Sequence, residues 1–366
     1  MAEKILLLAN NCSGLLSFRR EVVEALVNRG FDTVVHLPYD ARIKELEELG
    51  CRVICSKNLV RKGKNPLKDL ALLREYKSLM RSEKPQVVLT YTIKPNVYGG
   101  LAAKSLRIPY IVNITGLGTA VENPGMLQKL TVGLYRTAMS QANTIFFQND
   151  ANRSFFAKLG INCPSHRLIP GSGVNLSHHA LRPYPDEASP VRFLFISRLM
   201  KQKGIEEYFA CAEHFKGRAE FHILGECEED YAPRLKQLEA DGIVRYHGKQ
   251  KDVRPFITEA QCLIHPTYYP EGMSNVILES AAAGRPVITT DRAGCREGVD
   301  NGITGFLVPE RDLGALIQAV EHFLSLSPDQ RRTMGLKGRE KMEREFDRRI
   351  VVDAYLDAIN KTISKE

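Results

Sequence analysis

Two cations and two carboxylates are spaced so that they could bind an anionic ligand with polar ends. Arg198 and Lys203 follow a short apolar run, and Glu271 and Glu279 flank the start of a short helical pattern. A helix start offers unpaired N–H groups and the positive end of a dipole, which both suit phosphate. The pattern predicts a diphosphate at this helix start, with carboxylates for the hydroxyl-rich ends of a nucleotide sugar. Two ordinary surface glutamates are the alternative that spacing alone leaves open.

The elements that must position these residues alternate between short apolar strands and amphipathic helices along the whole chain. Strict alternation indicates parallel sheets with crossover helices. We therefore predict an α/β fold of two Rossmann-like domains in tandem, with parallel sheets facing a central cleft. The predicted parts are a domain at 1–175, a proline-punctuated linker at 176–190, a domain at 191–347 and a C-terminal helix at 348–366. That helix either packs on its own domain or crosses back to the first one.

Composition narrows the class of protein. The chain has 366 residues and a net charge of +8, which favours an anionic partner. Its eight cysteines contain no C-x-x-C pair, which favours reduced thiols over disulfides or a zinc site. No apolar run approaches the roughly 20 residues of a membrane span. We expect a cytoplasmic protein, or one attached to a membrane from the cytoplasmic face.

Several further motifs appear in a characteristic order. Arg198-Leu199 with Lys203-Gly204 precedes Pro270-Glu271-Gly272, and Glu279 opens the run Glu-Ser-Ala-Ala-Ala-Gly-Arg-Pro-Val. The other matches are 170–175, which reads Pro-Gly-Ser-Gly-Val-Asn, and 301–309, which reads Asn-Gly-Ile-Thr-Gly-Phe-Leu-Val-Pro. Together they resemble the retaining glycosyltransferases of family 4, which have the GT-B fold. The resemblance covers nearly the whole chain.

The resemblance implies a role for each matching residue. Arg198 and Lys203 would bind the donor diphosphate and Glu271 would contact the transferred sugar, so these three are the implied catalytic residues. Glu279 would accept hydrogen bonds from the ribose hydroxyls, and the backbone near Gly248 would favour uracil. The implied donor-binding residues are Gly14, Gly248, Lys249, Met273, Ser274, Asn275, Val276 and Glu279.

The first domain supplies the acceptor side. The Ser13-Gly14 loop after the first strand resembles the glycine loop of the family, although a simple βα turn is equally compatible with the sequence. Many members have a His near Thr115, and this chain does not. The absence of this His, together with the stretch Thr90–Asn96, resembles the subgroup that builds capsule, O-antigen or N-glycan precursors on polyprenyl diphosphate. The acceptor-side candidates are Ser13, Lys94, Asn96, Thr115 and Gly116.

The positive charge is concentrated in the stretch 57–84, which has nine Lys or Arg residues against three acidic ones. With Leu59, Val60, Leu67 and Leu70, this stretch could dock on anionic lipid. A solvated helix face is the alternative. Only Tyr76 interleaves the cations, which argues against a surface for single-stranded nucleic acid.

The predicted function is transfer of a hexose or N-acetylhexosamine from a UDP-sugar to a polyprenyl-diphosphate-linked saccharide, with retention. No cofactor and no metal are expected, since the UDP-sugar is a substrate and cations are already present. The alternatives are a UDP-sugar epimerase of the same fold and a nonenzymatic nucleotide-sugar-binding subunit. A dinucleotide oxidoreductase is disfavoured because the loop at 9–14 lacks G-x-G-x-x-G.

Overall fold

A computed structural model describes residues 2–59, 65–116, 125–161, 163–185 and 190–364. The chain forms two compact units. The first comprises Met1–Gly173 and Arg348–Glu366, and the second comprises Val174–Asp347. Each unit contains one parallel sheet with helices, which is the construction of the GT-B fold.

The sheet of the first unit is buried on both faces. Ile5 and Leu7 of its first strand enter one core, while Leu6 and Leu8 enter the core on the other face. Such two-sided burial is typical of parallel sheets covered by helices. The strands are β1 (Lys4–Leu8), β2 (Asp32–Pro38), β3 (Arg52–Ser56), β4 (Val87–Tyr91), β5 (Tyr110–Ile114), β6 (Thr144–Phe147) and β7 (His166–Leu168). Their order is β3-β2-β1-β4-β5-β6-β7.

The helices of the first unit follow the strands in alternation. A π-helical turn at Pro95–Gly99 leads into the fourth of them. The helices are α1 (Cys12–Asn28), α2 (Ile43–Glu48), α3 (Pro66–Glu83), α4 (Gly100–Leu106), α5 (Met126–Met139) and α6 (Asp150–Lys158).

The second unit repeats the same construction with six strands. They are β8 (Arg192–Ile196), β9 (Glu220–Leu224), β10 (Arg245–Tyr246), β11 (Cys262–His265), β12 (Val287–Thr290) and β13 (Gly305–Val308), in the order β10-β9-β8-β11-β12-β13. The helices are α7 (Ile205–His214), α8 (Ala232–Ala240), α9 (Arg254–Glu259), α10 (Asn275–Ala282), α11 (Leu313–Ser325) and α12 (Pro328–Glu345).

The C-terminal helix α13 (Arg348–Ile363) belongs to the first unit. Val351, Tyr355 and Ile359 are buried in the core that includes α1. At its start, the Arg348 guanidinium donates to both carboxylate oxygens of Glu21 on α1, at 3.0 and 2.9 Å. Apolar packing and this ion pair therefore hold the helix against α1.

The expected loop at Ser13-Gly14 is the first turn of α1. The Asn11 side chain accepts a hydrogen bond from the Gly14 N–H and caps the helix, which begins at Cys12. Ser13 and Gly14 are helical where a loop was expected, because a cap from Asn11 outweighs the weak helix preference of Gly14. The expected role of Gly14 in donor binding stays a prediction.

Residues 176–190, expected to be a linker, lie within the second unit. Buried Arg285 donates to the Pro183 carbonyl at 2.7 Å, and the Tyr184 hydroxyl donates to the Gln261 carbonyl at 2.8 Å. The prolines do end the regular pattern, but the Pro183 carbonyl and the Tyr184 hydroxyl attach the segment to its own domain.

Among the described residues, no helix combines the length and the apolar character that crossing a bilayer requires. The eight cysteines are unpaired thiols, and five of them are buried.

Candidate functional site

The predicted cations lie at the point where the strand order of the second sheet reverses. β8 and β11 are neighbours, while the chain continues from β8 to β9 on one side and from β11 to β12 on the other. Ligands of parallel sheets bind at such switch points, beyond the carboxyl ends of the strands. The loop after β8 carries Arg198 and Lys203, and the loop after β11 carries Glu271.

Hydrogen bonds join these two loops. The Gln202 carbonyl accepts from the Tyr268 N–H at 2.9 Å and from the Thr267 hydroxyl at 3.2 Å. Gly204 has a φ of +77°, and a Cβ there would lie 2.1 Å from the Pro266 carbonyl oxygen. The close approach of the loops thus requires glycine next to Lys203.

The structure brings Lys203 and Glu271 into direct contact. The Lys203 ammonium forms an ion pair with Glu271, and Lys203 is almost completely buried. Arg198 forms a second ion pair, with Glu228 in the loop after β9, and this pair is more exposed. Sequence reasoning missed Glu228, because no short motif connects residues 30 positions apart.

The start of α10 has no side-chain cap. Ser274 occupies the N-cap position, but its hydroxyl contacts His265 Nε2 at 3.1 Å, and its N–H donates to the Gly294 carbonyl at 2.7 Å. Asn275 Oδ1 is buried and finds no partner in the part of the chain that the structure describes. The N–H groups of the first turn are therefore open to an anionic ligand.

His265 is a second residue that sequence reasoning missed. It ends β11, and its imidazole is completely buried. Burial, assisted by the charge of Lys203, lowers the pKa of His265 to about 3. The side chain is thus neutral at physiological pH, and it fixes Ser274 without adding a cation to the site.

The remaining donor-side candidates lie around the same sheet edge. Glu279 is one turn into α10, with His179 Nε2 at 3.9 Å from its carboxylate. Lys249 is exposed and its ammonium donates to Glu226 at 2.7 Å, so it joins the ends of β10 and β9. Gly248 lies beside it, Met273 is buried, and Val276 is half-buried in the first turn of α10.

The acceptor-side candidates belong to the first unit and are described with that unit alone. Ser13 is exposed in the first turn of α1, and Thr115 and Gly116 directly follow β5. Lys94 forms an ion pair of 2.9 Å with Asp69 on α3. These residues lie at the carboxyl ends of strands and at a helix start that follows one.

Asn96 is also in the first unit, but it is buried and its amide donates to the Asn113 carbonyl at 2.9 Å. This contact braces the end of β5. Residues 117–119, which follow the candidates Thr115 and Gly116, lie outside the described residues. Across the ranges that are described, no three His, Cys, Asp or Glu side chains form a group able to hold a metal ion.

Two family models match the chain in succession. Residues 4–149 match a model described as glycosyl transferase 4-like, and residues 190–325 match one described as glycosyl transferases group 1. Together the matches span well over half of the chain. The chain belongs to the group 1, 4-like glycosyltransferases. It is therefore a transferase, and the predicted family and GT-B fold are confirmed.

This glycosyltransferase is similar to bacterial enzymes over most of its length. It is 24% identical to N,N'-diacetylbacillosaminyl-diphospho-undecaprenol alpha-1,3-N-acetylgalactosaminyltransferase of Campylobacter jejuni, covering 96% of both chains. It is 25% identical to the capsular polysaccharide biosynthesis glycosyltransferase CapM of Staphylococcus aureus, covering 82% of this chain and 85% of that one.

Solved structures share the fold of this glycosyltransferase. A glycosyltransferase from Rickettsia africae matches with a TM-score of 0.83 and 18% identity, covering all of both chains. The Anabaena protein HepE, solved in complex with UDP and glucose, matches with a TM-score of 0.80 and 18% identity, covering 98% of this chain and 100% of that one.

Proposed function

We propose that this glycosyltransferase moves a hexose or N-acetylhexosamine from a UDP-sugar to a saccharide carried on polyprenyl diphosphate, with retention at the anomeric carbon. The observation that carries the proposal is the arrangement of Arg198 and Lys203 beside the uncapped start of α10, at the switch point of the second sheet. Cations and open N–H groups are suited to the negative charge that develops on a departing nucleoside diphosphate.

The residues then divide the work of the reaction. The bond between the anomeric carbon and the donor phosphate oxygen breaks, and the acceptor hydroxyl oxygen bonds to the same face of that carbon. The acceptor proton passes to the departing phosphate oxygen, so that UDP leaves. Arg198 and Lys203 supply the positive charge in this proposal, so no divalent metal is needed. Glu279 binds the ribose, and Glu271 contacts the sugar.

The similar proteins support the choice of donor and acceptor. The name of the Campylobacter relative specifies an N-acetylgalactosaminyl group and an acceptor linked to undecaprenol through a diphosphate. The HepE structures contain UDP, UDP-glucose, or UDP with glucose. We transfer both classes of ligand to this chain as part of the proposal.

A lipid-linked acceptor calls for a membrane-facing surface, and α3 in the first unit offers one. Leu67 and Leu70 at its start have exposed fractions of 78% and 43%, which is unusual for leucine. Arg74 and Arg81 are exposed further along the same helix. We propose that this face binds anionic lipid on the inner side of the cell membrane. Leu59 is buried in the core, and residues 60–64 lie outside the described residues.

Sugar transfer from radiolabelled UDP-sugars to a polyprenyl-diphosphate-linked saccharide tests the proposal. We expect Arg198→Ala and Glu279→Ala to lower kcat/KM by about 100-fold, because each removes an interaction with a charged or polar donor group. Arg218→Ala is the matched control, since Arg218 also pairs with a glutamate and lies over an aromatic ring, but precedes the amino end of β9. Its activity should equal that of the wild type.

The outcomes separate the remaining alternatives. Conversion of the UDP-sugar to its epimer without acceptor would indicate an epimerase, and binding without turnover would indicate a sensor or binding subunit. Full activity of both Arg198→Ala and Glu279→Ala would show that the donor site is elsewhere. An inverted anomeric configuration in the product would contradict retention.

A further inference from the structure

One aromatic ring lies beside both of the cations assigned to the diphosphate. The centroid of the Tyr269 ring is 4.7 Å from Lys203 Nζ and 5.6 Å from Arg198 Cζ. Both distances fall within the roughly 6 Å over which a cation is attracted to the negative face of a ring. Because Arg198 and Lys203 come from the loop after β8, and Tyr269 from the loop after β11, the ring connects the two loops at the switch point.

The position of Tyr269 is fixed independently of the cations. Its N–H donates to the Thr267 hydroxyl at 3.1 Å, and its carbonyl accepts from Arg292 Nε at 3.1 Å. Thr267 in turn donates to the Gln202 carbonyl. The backbone of Tyr269 is therefore held in place, and the ring that it carries lies against both cations, where it can limit their rotamers.

Each cation also contacts a carboxylate, Glu228 in the case of Arg198 and Glu271 in the case of Lys203. A carboxylate competes with phosphate oxygens for the same N–H donors, because both are anionic acceptors. The Tyr269 ring carries no anionic acceptor, so it does not compete with phosphate oxygens for the N–H groups of the cations. It can keep a cation in place while leaving its donors available to a diphosphate.

We infer that Tyr269 is the positioning residue for both diphosphate-binding cations, and that Glu228 is an internal competitor which the diphosphate displaces from Arg198. The inference rests on the proposed nucleotide-sugar donor. Tyr269 and Glu228 both contact Arg198, but their removal should have opposite effects. Loss of the Tyr269 ring should weaken diphosphate binding, and loss of the Glu228 charge should strengthen it.

Titration calorimetry of the full-length chain with UDP and with UMP tests the inference. We expect Tyr269→Leu to weaken UDP binding about ten-fold, because two cation–ring contacts are lost, and to weaken UMP binding much less. Tyr269→Phe retains the ring face and should bind UDP like the wild type. Damage to the fold would weaken the binding of UDP and of UMP alike. The ratio of the two affinities therefore measures how well Tyr269 positions the cations for the diphosphate.

Glu228→Gln gives a test that does not depend on the stability of the Tyr269 variants, because the Glu228 side chain is at the surface. We expect tighter UDP binding by a few-fold, because Arg198 loses its anionic partner. Unchanged or weaker UDP binding by Glu228→Gln would overturn the competitor role. A wild-type UDP to UMP ratio in Tyr269→Leu would overturn the positioning role. A wild type that binds no UDP would instead refute the proposed donor.

Discussion

His265 illustrates how one buried side chain supports the candidate donor site. Its imidazole contacts the Ser274 hydroxyl, and its carbonyl accepts a hydrogen bond from Thr289 at 2.7 Å. The residue thereby connects β11, β12 and the start of α10. Burial disfavours the charged imidazolium, and the nearby charge of Lys203 adds to this effect, so the pKa of His265 is lowered to about 3.

This lowered pKa predicts how stability depends on pH. The unfolded chain binds a proton at His265 below about pH 6.5 and the folded chain does not, so the free energy of unfolding falls as the pH drops from 7 to 5. The expected contribution of His265 is about 2 kcal/mol over this interval. Urea unfolding at pH 7 and pH 5 measures this effect. Between the two pH values, the free energy of unfolding should fall by about 2 kcal/mol less in His265→Gln than in the wild type.

The pH interval lies above the range in which carboxylates with a lowered pKa bind protons. Hydrogen bonds to Arg52 and Lys4 lower the pKa of Glu83 to about 2, so that its contribution is lost only below about pH 4.5. Burial also lowers the pKa values of His166, His222 and His247. These three histidines contribute equally to the pH dependence of the wild type and of His265→Gln. His214→Gln, at an exposed position, is the matched control. An identical pH dependence in His265→Gln and the wild type would contradict the assignment.

At the scale of elements, helix α3 has apolar residues both on its buried face and on its exposed face. Its buried face, with Leu72, Tyr76 and Met80, packs in the core of the first unit, while Leu67 and Leu70 remain exposed beside basic residues. Exposed apolar residues next to cations are typical of helices that lie on anionic membranes. The helix also has a well-formed start, since Asn65 accepts hydrogen bonds from the N–H groups of Leu67 and Lys68.

Charge reversal on α3 should reduce binding to anionic vesicles. Each basic residue near a membrane contributes about 1 kcal/mol, so Arg74→Glu with Arg81→Glu should weaken binding to phosphatidylglycerol vesicles at least about ten-fold. Cosedimentation measures this effect, and phosphatidylcholine vesicles test its dependence on charge.

The control for α3 carries the same change in net charge elsewhere. Arg332→Glu with Lys337→Glu alters two exposed cations on α12 of the second unit. It should bind anionic vesicles like the wild type. Equal losses in both double variants would mean that net charge, and not the α3 face, determines vesicle binding.

At the scale of the whole molecule, the chain returns to its first unit after completing the second. Tyr355 of α13 is buried against Phe146 and Tyr91, with ring centroids 4.7 and 6.2 Å away. The last residues of the sequence therefore complete a core that the first residues begin. The fold of the first unit depends on a contact between parts of the chain that are far apart in sequence.

Removing this ring should destabilise the first unit. Tyr355→Ala leaves a cavity in the core, and we expect the free energy of unfolding to fall by about 3–5 kcal/mol in urea titrations. Ile350→Ala, at an exposed position on the same helix, should change it by less than about 0.5 kcal/mol. A small effect of Tyr355→Ala would indicate that α13 contributes little to the core.

The sequence by itself determined the succession of strands and helices and the placement of the cations at strand ends. Hydrophobic periodicity is a local property, and buried parallel strands such as Val87–Tyr91 and Tyr110–Ile114 are visible in the sequence as short, mainly apolar runs. Arg198 and Lys203 follow β8 directly, and Glu271 follows β11, so their location at one sheet edge required only the α/β alternation.

Only the tertiary structure decided which side chains meet. The contacts of Lys203 with Glu271, of Arg198 with Glu228 and of both cations with Tyr269 depend on the order of β9, β8 and β11 in the sheet, which no local pattern encodes. The return of α13 to the first unit likewise reflects packing between distant segments. Local sequence patterns determine helices and strands because the interactions that form them act within a few residues. The contacts of a functional side chain depend instead on how the apolar faces of helices and sheets pack together.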